Sequence, residues 1–358
     1  MPLSEEQAIL DLALSKGLIG RADLAECEEV QASIRRMGAE RGMLDLLLDR
    51  GRLTPEGLEN LKRELGLEGD APRSIGPYEV VRPLGGGASG SVYLARKRSA
   101  LADSNKDARM HEKTESGEYV AVKVLRVQHV DDPRYLDLFE RETEAIRSLD
   151  HPNIVRGYES GWGEGFRYFA MEYVDGPTLR DIVRSRGRLS ERPTARIGAR
   201  LAAAVEYLDS RGVAHCDIKP GNVIIRRDGT LKLSDLGSAR LYDSPPGMRG
   251  RELIMATPNY MAPEFFRARR APDCRTDLYS VGATLYYCLT GQPPHGRGTP
   301  AEVAKRAAAQ PPAPLRQMSP EVSPEMEQLV FRLVARDPAK RPRHPAGVRR
   351  ALVALAKR

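Results

Sequence analysis

The chain has 358 residues, 41% hydrophobic and 29% charged, which excludes a disordered or fibrous polypeptide and allows one large core or two. Its four cysteines, Cys27, Cys216, Cys274 and Cys288, form no Cys-x-x-Cys pair, which argues against a zinc site or disulfide framework and for a reducing compartment. The net charge of +7 is uneven: residues 1–70 carry −6 and the rest +13, with no basic run interleaved with aromatics that would suit nucleic acid.

The N-terminus, MPLSEEQAIL, has no basic-then-apolar signal, and the longest apolar stretch, Leu278 to Leu289, is too short to span a bilayer. A cytoplasmic protein without membrane or nucleic-acid partners is expected. Residues 1–68 read as a helical module built from a repeat. Leu10 to Ile19 aligns with Leu44 to Leu53 and Leu24 with Leu58, at a constant offset of 34 residues. Each copy reads as an apolar helix closed by Gly17 or Gly51, a turn and a second helix, the latter introduced in copy two by Thr54-Pro55-Glu56. The pattern resembles the helical N-terminal domain of secretion and pilus-assembly ATPases, in which an Arg-Leu-Gly segment helps bind a cyclic dinucleotide. Here Ala8-Ile9-Leu10 and Gly42-Met43-Leu44 stand in its place, so the expected role is structural or the docking of a regulatory partner.

Residues 69–77, rich in Gly and Pro, read as a linker. Beyond it, strands are expected around Tyr78 to Leu84, Ser91 to Arg96 and Tyr119 to Leu125, then a helix from Tyr135 to Leu149. The hydrophilic stretch Arg98 to Glu118 is longer than an ordinary hairpin loop and reads as an insertion. From residue 179 the pattern is mainly helical, as in Pro193 to Ser210, where Ile197, Leu201, Val205 and Leu208 share a face.

Four motifs carry chemistry. Gly85, Gly87 and Gly90 form a Gly-x-Gly-x-x-Gly followed by a strand instead of a helix, so they suit a phosphate lid and not a dinucleotide-binding turn. Ala121-Val122-Lys123 comes next. His215-Cys216-Asp217-Ile218-Lys219-Pro220-Gly221-Asn222 is followed, thirteen residues after Asn222, by Asp235-Leu236-Gly237. Ala256-Thr257-Pro258-Asn259-Tyr260-Met261-Ala262-Pro263-Glu264 closes the series, with Arg341 further on as a partner for Glu264.

Residues 78–354 resemble a eukaryotic-type serine/threonine protein kinase of the bacterial kind, whose catalytic loop usually reads His-Arg-Asp-Leu-x-x-x-x-Asn before Asp-Phe-Gly. The resemblance implies a bilobal α+β fold, a β-rich lobe over 78–172 and a helical lobe over 176–354, preceded by the small all-α bundle. It implies ATP with Mg2+, or Mn2+ in its place, as cofactors and Ser or Thr hydroxyls of proteins as acceptors. Asp217 would orient the attacking hydroxyl, Lys219 neutralise the moving phosphoryl group, and Asn222 and Asp235 hold the metal. Lys123 would contact the α and β phosphates, paired with Glu142, with Glu144 as the second candidate on that helix. Glu172 and Val174 would bind adenine through their backbone, Met171 behind them, with Val92, Ala121 and Ile224 forming the apolar sandwich.

Cys216 departs from the pattern. The arginine it replaces pairs with a phosphorylated activation loop in the family, and the loop from Ala239 to Ala256 offers only Tyr242 and Ser244 as hydroxyls. Regulation through residues 1–68 or a partner, in place of activation-loop phosphorylation, is therefore expected; the alternative is a pseudokinase that binds nucleotide as a scaffold. Leu236, in place of Phe, should preserve packing.

Overall fold

A computed structural model describes residues 5–36, 42–54, 57–58, 60–61, 72–87, 90–98, 119–125, 143–163, 166–242, 258–264, 272–298 and 300–358. The chain divides into two compact units, with a boundary at Tyr173 and Val174.

The first unit holds the start of the chain and a six-stranded antiparallel sheet. Helices α1 (Glu5–Ser15), α2 (Arg21–Arg36) and α3 (Met43–Asp49) open the chain. The 34-residue repeat is visible bond for bond. Gly17 N donates to Leu14 O and Leu18 N to Ala13 O; Gly51 N donates to Leu48 O and Arg52 N to Leu47 O. Both glycines sit at positive φ, +65° and +59°, a left-handed turn that a Cβ disfavours. Ala13 and Leu47 are fully buried equivalents. The turn after α3 is tied to α2 by ion pairs from Arg50 and Arg52 to Glu26. Helix α3 packs on α1 and on β2.

The sheet runs in the order β1-β2-β3-β4-β6-β5, built from β1 (Ser74–Ile75), β2 (Tyr78–Gly87), β3 (Gly90–Lys97), β4 (Tyr119–Leu125), β5 (Gly157–Gly163) and β6 (Phe166–Glu172). The three expected strands are β2, β3 and β4. The linker reading of 69–77 needs correction at its end: Ser74 pairs with Glu79 and Ile75 with Tyr78, and Ile75 is 1% exposed. Gly and Pro neighbours hide this two-residue strand, whose single apolar side chain joins Tyr78, Ala95, Val122, Tyr168 and Ala170 in one core. Residues 62–71 lie outside the described residues, as does the insertion over 99–118.

The second unit is mainly helical: α4 (Leu179–Arg186), α5 (Glu191–Ser210), α6 (Cys274–Thr290), α7 (Pro300–Ala309), α8 (Leu315–Met318), α9 (Pro324–Leu333) and α10 (Pro345–Lys357). Short strands β7 (Val213–Ala214), β8 (Val223–Ile225), β9 (Leu231–Leu233) and β10 (Arg240–Leu241) carry the loops between α5 and α6. Thr178 caps α4 with a reciprocal capping box to Asp181. The expected face of α5 faces inward, with Leu201, Val205 and Leu208 fully buried and Ile197 packed against the same core. The apolar stretch Leu278 to Leu289 belongs to α6 and is buried throughout. Among the described residues no helix is long and apolar enough to cross a membrane. Of the helix expected over 135–149, residues 143–147 are described and helical.

Candidate active site

The catalytic loop hangs from one buried carboxylate. Asp277, on the buried helix α6, accepts the His215 amide at 2.8 Å on Oδ2 and the Cys216 amide at 2.9 Å on Oδ1. Burial pushes its carboxyl up to about 7, the two amide donors only partly offsetting the loss of solvent. His215 is fully buried, and its Nδ1 accepts the Asp217 amide at 3.3 Å while Nε2 lies 3.2 Å from Ser234 O. Burial holds the imidazole below its ordinary pKa. It is therefore neutral, with the proton on Nε2 donated to Ser234.

That scaffold aims the next residues. Asp217 Oδ2 accepts from Lys219 Nζ at 2.8 Å and from Asn222 Nδ2 at 2.9 Å, and Asn222 Nδ2 also reaches Asp217 O at 2.8 Å. Only the NH2 end of Asn222 can face two oxygens, so its Oδ1 turns away and stays an acceptor. Ser234 N and Oγ both donate to Asn222 O, at 2.8 and 3.1 Å, joining the Asp235 turn to the catalytic loop. Cys216 and Asp235 are the non-glycine residues at positive φ among the described residues, both +64°. Such strain costs about 1–3 kcal/mol each and is typical of functional turns. Leu236 is buried in the main core. The Cys216 side chain is buried, with Sγ 3.7 Å from Ala214 O, which suits a passive substitution better than a redox sensor.

In the sheet, register collects the nucleotide-site candidates of the first unit. Val92 lies opposite Lys123, and Ala121 opposite both Leu94 and Met171. Alternation puts Val92, Ala121, Lys123 and Met171 on one face, with the core around Val122 and Ala170 on the other. Lys123 is buried. Gly85 pairs with Val92 and Gly87 with Gly90 across the β2–β3 hairpin, whose tip at 88–89 is outside the described residues. Glu172 donates its amide to Arg156 O at 2.8 Å, so an adenine contact at Glu172 would fall to its carbonyl. Val174 and Ile224 belong to the second unit, where Ile224 lies opposite Lys232 and bridges to Thr178. Glu142 and Thr257 lie outside the described residues. Glu144 is exposed and paired with Arg147 at 3.0 Å.

The expected Glu264–Arg341 pair is present and bidentate, at 2.6 and 2.7 Å. A further link was not read from the sequence: Tyr242 OH donates to Asp209 Oδ1 at 2.7 Å, fastening the chain just past β10 to the end of α5. Tyr242 is thereby engaged in a structural bond. The two residues are far apart in sequence and carry no motif.

The donor set fits a hard divalent cation. Asn222 and Asp235 offer oxygens, and among the described residues no group of three or more His, Cys, Asp or Glu forms a soft or self-sufficient metal cage. A hard cation held by so few protein oxygens completes its shell with phosphates and water.

Sheet, helical unit and catalytic loop together define a protein kinase. Residues 78–352 match the family model described as protein kinase domain, and the chain belongs to that family. It is 34% identical over 281 residues to serine/threonine-protein kinase PknB of Mycolicibacterium smegmatis, covering 77% of this chain and 42% of the relative. It is 35% identical over 275 residues to the probable serine/threonine-protein kinase SCO3848 of Streptomyces coelicolor, covering 75% and 38%. The chain thus spans about two fifths of the length of these curated relatives. Among solved structures, the PknI kinase domain of Mycobacterium tuberculosis superposes with a TM-score of 0.59 at 27% identity, covering 79% of this chain and 98% of that one.

Proposed function

We propose that this chain transfers the γ-phosphoryl group of ATP to serine and threonine hydroxyls of proteins, itself included. The observation that carries the reading is the bonded cluster of Asp217, Lys219 and Asn222. Asp217 would orient the acceptor hydroxyl and take its proton, and Lys219 beside it would offset charge on the moving phosphoryl group. Asn222 and Asp235 are the residues that would hold Mg2+, or Mn2+, whose charge offsets that of the triphosphate. Lys123 would orient the α and β phosphates with Glu142 as its partner. Gly85, Gly87 and Gly90 would cover the phosphates, while Val92, Ala121, Met171, Glu172, Val174 and Ile224 would enclose adenine.

The full set of charged groups favours transfer over a nucleotide-binding scaffold. None of the four cysteines is in a disulfide, which suits the cytoplasm. We assign regulation to residues 1–68, because α3 packs on β2, the strand that leads into the glycine loop. The test is phosphate transfer from labelled ATP with Mg2+ to the protein itself and to a generic protein substrate. Asp217→Asn should reduce it by about 10²–10⁴-fold. Nucleotide-dependent thermal stabilisation of the wild type without transfer would establish the scaffold reading instead.

A further inference from the structure

Arg180 stands at the second position of α4, a place where the helix dipole favours an acid and disfavours a cation. Helix stability therefore does not account for it. Its guanidinium lies against the catalytic loop: a Cβ built on Gly221 would sit 3.6 Å from Arg180 Nη1 and 3.7 Å from Cζ. Gly221 lies between Lys219 and Asn222, so this cation borders the bonded cluster around Asp217. Arg180 Nε is buried and has no hydrogen-bond partner. The nearest carboxylate, Asp181 Oδ1, stands 4.0 Å from Nε on a half-exposed side chain, too far for a hydrogen bond. The side chain as a whole is 35% exposed, so an anion can reach the guanidinium, and an acceptor there would offset its unmet donor capacity.

The same cation has company. The positive charges of Arg297 and Arg180 reach the phenol of Tyr260, and those of Arg297, Arg184 and Arg180 that of Tyr287. The two rings meet edge to face with centroids 6.0 Å apart. Tyr260 follows Thr257-Pro258-Asn259 in the segment that leads to Glu264. Arg180 thus lies against the catalytic loop, and its charge acts on the segment on which a peptide would rest. At Gly221 itself no side chain competes for the space.

We propose that Arg180 forms a subsite for an acidic side chain of the protein substrate, a carboxylate or a phosphorylated residue close to the accepting hydroxyl. The assignment rests on the protein kinase reading and adds a substrate class to it. A guanidinium fork binds either anion in two-point fashion.

The experiment measures kcat/KM on four peptide series with one Ser or Thr acceptor, carrying Asp or Glu, phosphoserine, Ala, or Lys in turn at each flanking position. The full-length chain is compared with Arg180→Gln and Arg180→Glu; the latter places an acid in the first turn and so favours the helix. Wild type should prefer an acidic over a lysine-bearing peptide at one flanking position by about tenfold or more, the size expected of one charge-assisted contact. Arg180→Gln should erase that ratio and Arg180→Glu invert it, with melting temperatures of the variants near wild type. The carboxylate and phosphoserine series tell the two sources of anion apart. Transfer without acidic preference, or a preference that survives both variants, overturns the subsite and leaves the kinase reading standing. Absence of transfer to every peptide overturns both.

Discussion

Arg341 grips Glu264 with both arms of its guanidinium, from a side chain that exposes no surface at all. Its remaining donors go to the carbonyls of Ala335, Arg275 and Arg336 at 2.7, 2.9 and 3.3 Å, and its face lies 4.9 Å over the Tyr279 ring. Arg341→Ala should therefore destabilise the helical unit by about 3–5 kcal/mol, because it leaves a largely buried carboxylate without its counter-charge. Arg341→Lys keeps the charge and loses the fork, so a smaller loss is expected. Urea unfolding measures both, and an alanine variant within about 1 kcal/mol of wild type would remove this pair from the stabilising core.

Asp277 makes stability depend on pH in a defined direction. Its carboxyl lies at about 7 in the folded protein against about 3.9 in an unfolded chain. The folded state thus binds the proton more readily, and this contribution is present in full below about pH 4 and lost as pH rises to about 7. His215 acts oppositely, its folded pKa being lowered, but it titrates in any variant that keeps it. Wild type should lose stability relative to Asp277→Asn between about pH 4 and about pH 7, by at most about 1.4 kcal/mol per unit. A stability difference that stays constant across that window would contradict the assignment.

Tyr242→Phe removes the bond to Asp209 and little else. A hydrogen bond to a charged group contributes about 1.5–3 kcal/mol. The Tyr242 amide, which donates to Gly212 O at 2.8 Å, should then exchange faster with solvent, since the chain past β10 has lost its side-chain anchor. Unchanged exchange at that amide would show that the backbone bond suffices.

The two repeat glycines should behave as a matched pair. Gly17→Ala and Gly51→Ala each place a Cβ on a left-handed residue, at a cost of about 1–2 kcal/mol. Nothing lies within 4 Å of a Cβ at Gly17, so the loss there is conformational and not steric. Thermal melts of the two variants should agree closely, and a loss at one position alone would break the equivalence of the copies.

Much of the site was legible because its parts are adjacent in sequence. Asp217, Lys219 and Asn222 lie within six residues of one another, so their order alone placed them on one loop. The Glu264–Arg341 pair and the 34-residue repeat were readable through fixed motif spacing. What escaped depends on long-range packing without pattern. Ile75 sits among Gly and Pro, where composition suggests a linker, yet its burial against Tyr78 adds an edge strand. Asp209 and Tyr242 meet across two elements that neither residue announces, and the approach of Arg180 to Gly221 depends on how α4 packs on the catalytic loop. Glu144 was readable only as one phase of a helix; its exposure and its pairing with Arg147 are properties of the folded surface.

Because Asp277 holds residues 215 and 216 by their amides, the scaffold is blind to what the second of them carries beyond Cβ. Any L residue able to adopt the same φ presents that N–H equally well. The side chain at this position can therefore vary while the amide bond that orients the approach to Asp217 is kept. The amide that builds the loop and the side chain that varies are thus separate parts of one residue, and a change in the second leaves the bond to Asp277 available.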